Sequence, residues 1–457
     1  MSLFQSLRSK VQAQPKKVGL AAGNTHFTRI DGENKKNIHL RIDPDGSGTL
    51  LVNASRVYHF NPTAAFMAFH LLNGKDAPAI EKEITRSFHI TKKQAAEDLH
   101  AFMEKIQPII DPRTDACPIC DLDLDIIEPF SKPPTAPYRM DLALTYRCNN
   151  DCRHCYNDPA RKSVELSTAE WKQVLDKVWQ LGIPHVVFTG GEPTLRDDLP
   201  ELVSHAEKLS MVTGINTNGR RLKDENYVKT LVNSGLDHVQ ITLESHDRAI
   251  HDEIVDHPGA WEQTMAGIQN AVRSKLFVMT NTTLLKNNLV ELEKTLQFLS
   301  DLKVPTIGLN GLIYSGRGAS VKAGIQEQDL PDLLSLATFF TQTHGQRLIW
   351  YTPTQYCHFD PVSSGLGVKG CTAALYNMCI EPDGSVLPCQ SYYHSLGNFL
   401  TDQWENIWDH PLAQSIRAKH YLQDKCHSCN LLSECGGGCP LFIENESVIQ
   451  SRIIEKA

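Results

Sequence analysis

The sequence predicts an α/β protein in three parts, and three observations predict it. Residues 18–60 alternate apolar and polar positions between tight turns, and three helical stripes follow. From Tyr138 onward six apolar strand-like runs alternate with helix-like segments. Ten of the thirteen cysteines gather in two sets, one at 148–155 and one at 371–439. A length of 457 residues accommodates two to four domains of roughly 100–200 residues each. The hydrophobic fraction of 41% and charged fraction of 21% are those of an ordinary globular chain.

In the N-terminal part, Asp43-Pro44-Asp45-Gly46 supplies a turn before the apolar run Thr49-Leu50-Leu51-Val52, as in a small antiparallel sheet. Asn61-Pro62-Thr63 opens the first helix with a capping Asn and a first-turn Pro, and Gly74 stops it. A second helix covers 79–88. The third starts after Thr91 and carries Ala95, Leu99, Phe102 and Ile106 as one apolar stripe. Residues 111–136 are rich in proline and acid, without periodicity, and read as a linker containing Cys117 and Cys120, a pair that is either only local or half of a metal site with a distant partner.

The six later strands are expected at 140–146, 185–189, 212–217, 238–243, 277–284 and 306–313. Ser167-Thr168-Ala169-Glu170 is a capping box that opens the first crossover helix. Alternating strands and helices give a parallel sheet, either open and doubly wound or a partial barrel. Ligand sites gather at the C-terminal ends of such strands. Polar residues cluster there: the loop 148–155, Gly190-Gly191-Glu192, Asn218, Thr242 and Glu244.

Cys148, Cys152 and Cys155 stand at C-x3-C-x2-C spacing directly after the first of these strands. Three thiolates on a short loop wrap one face of a cubane iron–sulfur cluster and leave the fourth iron without a protein ligand. An iron with an open position binds and reduces something. The alternative is a zinc knuckle, which ordinarily closes with four ligands at pairwise C-x2-C spacing.

This loop resembles the signature of the radical SAM superfamily, with His154 in the place of its aromatic residue. Gly190-Gly191-Glu192-Pro193 resembles the family's GGEP motif. The resemblance covers about residues 138–320 and implies a six-unit partial barrel, S-adenosylmethionine (SAM) as cofactor and a [4Fe–4S] cluster on Cys148, Cys152 and Cys155. It implies that Gly190 and Gly191 let backbone approach the methionine part of SAM and that Glu192 accepts from its ammonium. Asn218, Thr242 and Glu244 fall where the family contacts ribose and carboxylate. His251-Asp252 resembles a family pattern that often has Arg three residues after the Asp, where Val255 stands here. Arg317, in Ser315-Gly316-Arg317-Gly318, is then the group for the carboxylate.

The C-terminal set, Cys371-x12-Gly384-x4-Cys389 followed by Cys426-x2-Cys429-x5-Cys435-x3-Cys439, resembles the SPASM pattern of auxiliary clusters. By that resemblance Cys371, Cys379, Cys389 and Cys439 hold one cubane, and Cys426, Cys429 and Cys435 hold three irons of a second. Asp383-Gly384 supplies a hairpin turn that brings Cys379 and Cys389 together. The family's seventh cysteine should follow Cys439, and residues 440–457 contain none. Either one or two auxiliary [4Fe–4S] clusters are therefore expected. Cys357, Glu444 and Glu446 are unassigned. Cys357 reads equally as a buried core thiol or as a hydrogen-atom donor near the active site.

Residues 20–110 resemble a PqqD-like RiPP recognition element, the winged-helix-like domain that holds a precursor peptide's leader. A DNA-binding winged helix is the weaker alternative, because basic and acidic residues balance in its last two helices. The expected organisation is a recognition domain at 18–110, a linker at 111–136, a radical SAM partial barrel at 137–345 and a SPASM domain at 346–457. The implied activity is reductive cleavage of SAM and hydrogen-atom abstraction from a ribosomally made precursor peptide, giving a crosslink or an epimer. A reductant such as flavodoxin or ferredoxin is the implied electron source. Modification of a tetrapyrrole side chain is the alternative reaction, and a non-catalytic zinc scaffold carrying peptides the alternative of another class. Sulfatase maturation ranks lower, since Gln390 follows Cys389 where those enzymes usually have Asp. A net charge of −8 argues against nucleic acid as partner. No apolar run reaches the ~18 residues of a membrane span, and residues 1–17 lack the core of a signal peptide, so a cytoplasmic location is expected.

Overall fold

The computed structural model describes residues 20–32, 34–52, 56–114, 125–126, 134–157, 161 and 164–445. Cys117, Cys120 and Glu446 lie outside them, as does most of the expected linker. The chain divides into two compact units, residues 1–136 with 177–184, and residues 137–176 with 185–457.

The first unit is a five-stranded sheet in sequential order with three helices. Strands β1 (Gly23–Asp31), β2 (Asn34–Ile42), β3 (Gly48–Val52) and β4 (Arg56–Phe60) pair antiparallel, and β5 (Asp125–Ile126) adds in parallel to β4. The turn at 43–46 forms as its residues require: Asp43 N–H donates to Ser47 O at 2.8 Å, and Gly46 takes φ +81°. Register places Leu40, Leu50 and Tyr58 side by side across three strands, so their face becomes core. Helices α1 (Pro62–Leu72), α2 (Ala77–Ser87) and α3 (Lys92–Ile110) cover that face. Their caps are Asn61, Asp76 and Thr91, whose side chains accept from Ala64, Ala79 and Gln94 N–H groups at 2.9, 2.9 and 3.2 Å. The stripe of Ala95, Leu99, Phe102 and Ile106 is buried.

The second unit is built on a nine-stranded sheet. β6 (Arg139–Thr145), β7 (His185–Gly190), β8 (Val212–Thr217), β9 (His238–Thr242), β10 (Phe277–Thr283) and β11 (Thr306–Asn310) are the six expected strands, all parallel. The intervening helices are α4 (Thr168–Gln180), α5 (Leu199–Lys208), α6 (Glu225–Asn233), α7 (Arg248–Ile254), α8 (Ala260–Val272) and α9 (Leu292–Asp301), and α10 (Leu330–Thr343) follows β11. The capping box forms: Glu170 accepts from Ser167 N–H at 2.8 Å while Ser167 Oγ accepts from Glu170 N–H at 3.3 Å. β12 (Arg347–Trp350) extends the sheet beyond β11. At the other edge β13 (Asn377–Ile380) pairs parallel to β6, and β14 (Val386–Leu387) closes a hairpin on it. The sheet thus takes up two strands of the cysteine-rich region, which four- and two-residue segments do not announce by periodicity. Two short helices, α11 (Trp404–Trp408) and α12 (Pro411–Arg417), precede the last cysteines.

Candidate active site

The site begins where β6 ends. Gly191 N–H donates to Thr145 O at 2.7 Å and Glu192 N–H to Arg147 O at 2.9 Å, joining the second strand's exit to the root of the cysteine loop. The glycines are what permits this. A Cβ on Gly190 would lie 2.2 Å from Thr145 O, and one on Gly191 would lie 2.4 Å from Arg147 O. Gly190 also adopts φ +128°.

Glu192 is fully buried and accepts four hydrogen bonds. Oε1 receives Thr194 N–H at 3.1 Å, Thr194 Oγ1 at 2.6 Å and Thr217 Oγ1 at 2.7 Å, and Oε2 receives Asn218 N–H at 2.8 Å. Burial pushes its carboxyl up, and these four donors hold it down. The carboxylate therefore ties β7 to the end of β8 and keeps Oε2 with a single protein donor. Asn218 Nδ2 reaches the cysteine loop at Asn149 Oδ1, 2.6 Å away.

The loop itself is clamped on three sides. Asp151 and Arg153 N–H groups donate to Val255 O and Ile254 O, the carbonyls at the end of α7. Arg317 donates to Asp151 O at 2.9 Å and Cys152 O at 3.2 Å and pairs with the Asp151 carboxylate at 2.6 Å. Arg220, which is buried, donates to Asn149 O and to Asn150 Oδ1 at 2.8 Å. His154 Nε2 lies 3.1 Å from Glu244 Oε1, and Glu244 Oε2 accepts from Thr283 N–H at 3.0 Å. Burial pushes the His251 imidazole below its ordinary value, and its Nδ1 accepts from Glu244 N–H at 3.2 Å. Asp252 accepts from Gly259 and Trp261 N–H groups at 2.7 and 2.8 Å and so shapes the entry to α8. Thr242 closes β9 in register with Asn281.

The three loop thiols fit a cluster. Burial pushes Cys148 up to about 12, with Glu192 and Cys155 adding to it, and Cys152 rises through burial and then its two partner thiols. Three thiols on one short loop are the donor set that a cubane takes on three of its irons. Asn281 Oδ1 and Asn310 Oδ1 are buried without a hydrogen-bond partner. They stand near the C-terminal ends of β10 and β11, where a polar ligand such as SAM would satisfy them. Sequence reasoning missed these two asparagines and Arg220.

It also missed a polar group beside Cys379. Glu381 accepts from Tyr146 Oη and from Arg161 at 2.6 Å, and the Arg161 guanidinium lies 4.0 Å from the centre of the Tyr393 ring. Burial, then the Glu381 carboxylate, drives the Tyr146 phenol up. Tyr156 Oη donates to Gln390 at 3.3 Å.

Burial raises several of the auxiliary thiols. The Cys371 thiol is raised by burial and then by Cys439 and Cys389, and Cys379 by burial, two carboxylates and Cys389. The hairpin that unites Cys379 and Cys389 turns at Gly384, φ +87°. Cys426 is raised by burial, with Cys435 and Cys357 adding to it. Cys357 is exposed, so it is no buried core thiol.

Residues 142–299 match the Radical SAM superfamily, and residues 371–430 match SPASM, an iron–sulfur cluster-binding domain. The chain carries both domains. It is an enzyme, and its cofactors are SAM and [4Fe–4S] clusters. Its fold is shared with Streptococcus suis SuiB bound to SAM (18% identity, 90% of this chain and 96% of that one, TM-score 0.67). SuiB bound to its precursor peptide SuiA gives 17% identity over 91% and 96%, with a TM-score of 0.66. A shorter match is anSMEcpe with bound AdoMet and the Cp18Cys peptide (16% identity, 66% of this chain and 89% of that one, TM-score 0.54).

Proposed function

We propose that this enzyme modifies a ribosomally made precursor peptide, held through its leader by the PqqD-like N-terminal unit. The observation that carries the reading is a free sheet edge. Among the described residues β1 pairs with β2 alone, along nine residues, and Ile30 on it is 68% exposed. An unpaired edge satisfies its backbone by adding an extended peptide, and side-chain pockets then select it. The fold likeness to SuiB bound to precursor peptide SuiA supports the same reading over nearly the whole chain.

When bound, the cluster and SAM supply a primary carbon radical by reductive cleavage, electrons arriving from a flavodoxin- or ferredoxin-type reductant. The chain's residues orient and enclose. Cys148, Cys152 and Cys155 hold iron; Glu192, Asn218, Asn281 and Asn310 offer polar contacts to SAM; Gly190 and Gly191 seat the loop against its strand. Removal of a hydrogen atom leaves a carbon radical on the peptide, which gives a crosslink when it bonds to a second side chain with loss of a proton and of one electron to an auxiliary cluster, or an epimer when a thiol or other donor returns a hydrogen atom to its opposite face.

Deleting residues 1–110 tests the assignment. Tethering raises the local concentration of the peptide core, so its loss should lower peptide modification at least ~100-fold at micromolar peptide. Uncoupled 5′-deoxyadenosine formation should persist. Equal modification by the truncated and full chains would overturn the reading.

A further inference from the structure

The SPASM resemblance assigns three cysteines to the second auxiliary cluster, Cys426, Cys429 and Cys435, and residues 440–457 hold no further one. Two described side chains present themselves as the missing ligand. Glu444 belongs to the other set: its Oε1 accepts from Tyr392 Oη at 2.9 Å, and Tyr392 in turn lies by Cys389 and Cys439. Cys357 lies on a segment that touches Cys435 of the incomplete set, through the N–H of its neighbour Tyr356.

The segment 354–358 is fastened to the cysteines it would join. Tyr356 N–H donates to Cys435 Sγ at 3.3 Å, and Cys435 Sγ in turn lies 3.8 Å from Thr354 O. A Cβ on Gly438 would meet Gln355 Cγ at 3.0 Å, so the chain just past Cys435 runs directly against this segment. Buried Glu327 holds it from the other side, accepting from Gln355 N–H at 3.3 Å and lying 2.9 Å from His358 Nδ1. Lys369 N–H fixes the ring of Tyr356 through its Oη at 2.9 Å. Cys357 is thus the middle residue of a clamped turn, one residue from an N–H that already binds a ligand sulfur. Its own sulfur makes only a 3.8 Å contact, to Gln355 Oε1.

We infer that Cys357 is the fourth thiolate of the second auxiliary cluster, completing Cys426, Cys429 and Cys435 from the N-terminal side. A cubane with four thiolates has no open iron, so this cluster passes electrons and does not bind substrate. Cys357 is then no hydrogen-atom donor. The inference rests on the auxiliary clusters alone, and the nature of the substrate does not enter it.

The test uses full-length, anaerobically loaded protein. In the Cys148→Ala/Cys152→Ala/Cys155→Ala background about eight irons should remain, from two cubanes. Adding Cys357→Ala should remove up to about four of them or convert one reduced-state EPR signal to a three-iron type. Cys357→Ser should keep the iron and shift that signal. Iodoacetamide labelling of the unmutated protein decides the matter even if Cys357→Ala does not fold: Cys357 should resist alkylation in loaded protein and react after iron chelation. Equal labelling before and after chelation would overturn the assignment, as would unchanged iron and EPR signals in both Cys357 variants.

Discussion

At the scale of single residues, Glu192 and Arg220 show how the site is held before any ligand arrives. A carboxylate that accepts from Thr194, Thr217 and Asn218 cannot be replaced by an amide without setting an NH2 group against one of those donors. Glu192→Gln should therefore weaken SAM binding by about 1.5–3 kcal/mol, roughly 10- to 150-fold in Kd, and lower the melting temperature as well. Anaerobic calorimetry and a thermal scan check the two together; an unchanged Kd would remove Glu192 from the site. Arg220→Ala should leave Asn149 O without its guanidinium partner and loosen the loop. We expect iron at Cys148, Cys152 and Cys155 to leach several-fold faster under chelator, for the loss of about 1–3 kcal/mol. The GGEP and cysteine motifs were legible because each is local. Arg220 was not, because its partner Asn150 lies 70 residues earlier in the chain. Arg161 and Glu381, 220 residues apart, were hidden for the same reason.

At the scale of elements, caps, turns and stripes could be read directly, since their signals lie within one or two turns of chain. Asn61, Thr91 and Ser167 all cap as their sequence contexts require. β12, β13 and β14 escaped because segments of two to four residues carry no period, and their partners β11 and β6 are distant. The junction of β6 and β7 depends on backbone approach more than on side chains. Gly190→Ala combines a positive φ with a methyl 2.2 Å from Thr145 O, so the strand exit must shift. Gly345→Ala has a positive φ too, at +66°, but nothing within 4 Å. The first should cost at least ~2 kcal/mol and lower iron retention at the radical SAM loop, and the second only ~1 kcal/mol with iron unchanged. Equal effects of the two substitutions would show that conformational freedom, and not the close approach, explains Gly190.

At the scale of the whole molecule, the two ends of the chain acquire order from different sources. Residues 20–114 close a continuous apolar core in which Leu40, Leu50, Ile80, Ile84 and Leu99 are at most 1% exposed. Burial of that kind stabilises a fold without any ligand. Among the described residues the regular strands around the auxiliary thiols are β13 and β14, and the buried apolar set formed with them is Ala143, Cys379 and Leu387. Cys379 is buried and Cys389 half-buried, and both thiols are pushed upward, a state that binding to iron replaces with neutralised thiolate. Removing iron should therefore act unevenly along the chain. After anaerobic chelation, amide exchange should rise across 371–439 while α1, α2 and α3 keep their protection, because local stability follows local packing. Mass-spectrometric exchange on loaded and stripped protein measures this directly. Uniform loss of protection at both ends would mean that the N-terminal core depends on the clusters too, and that its own apolar packing does not suffice.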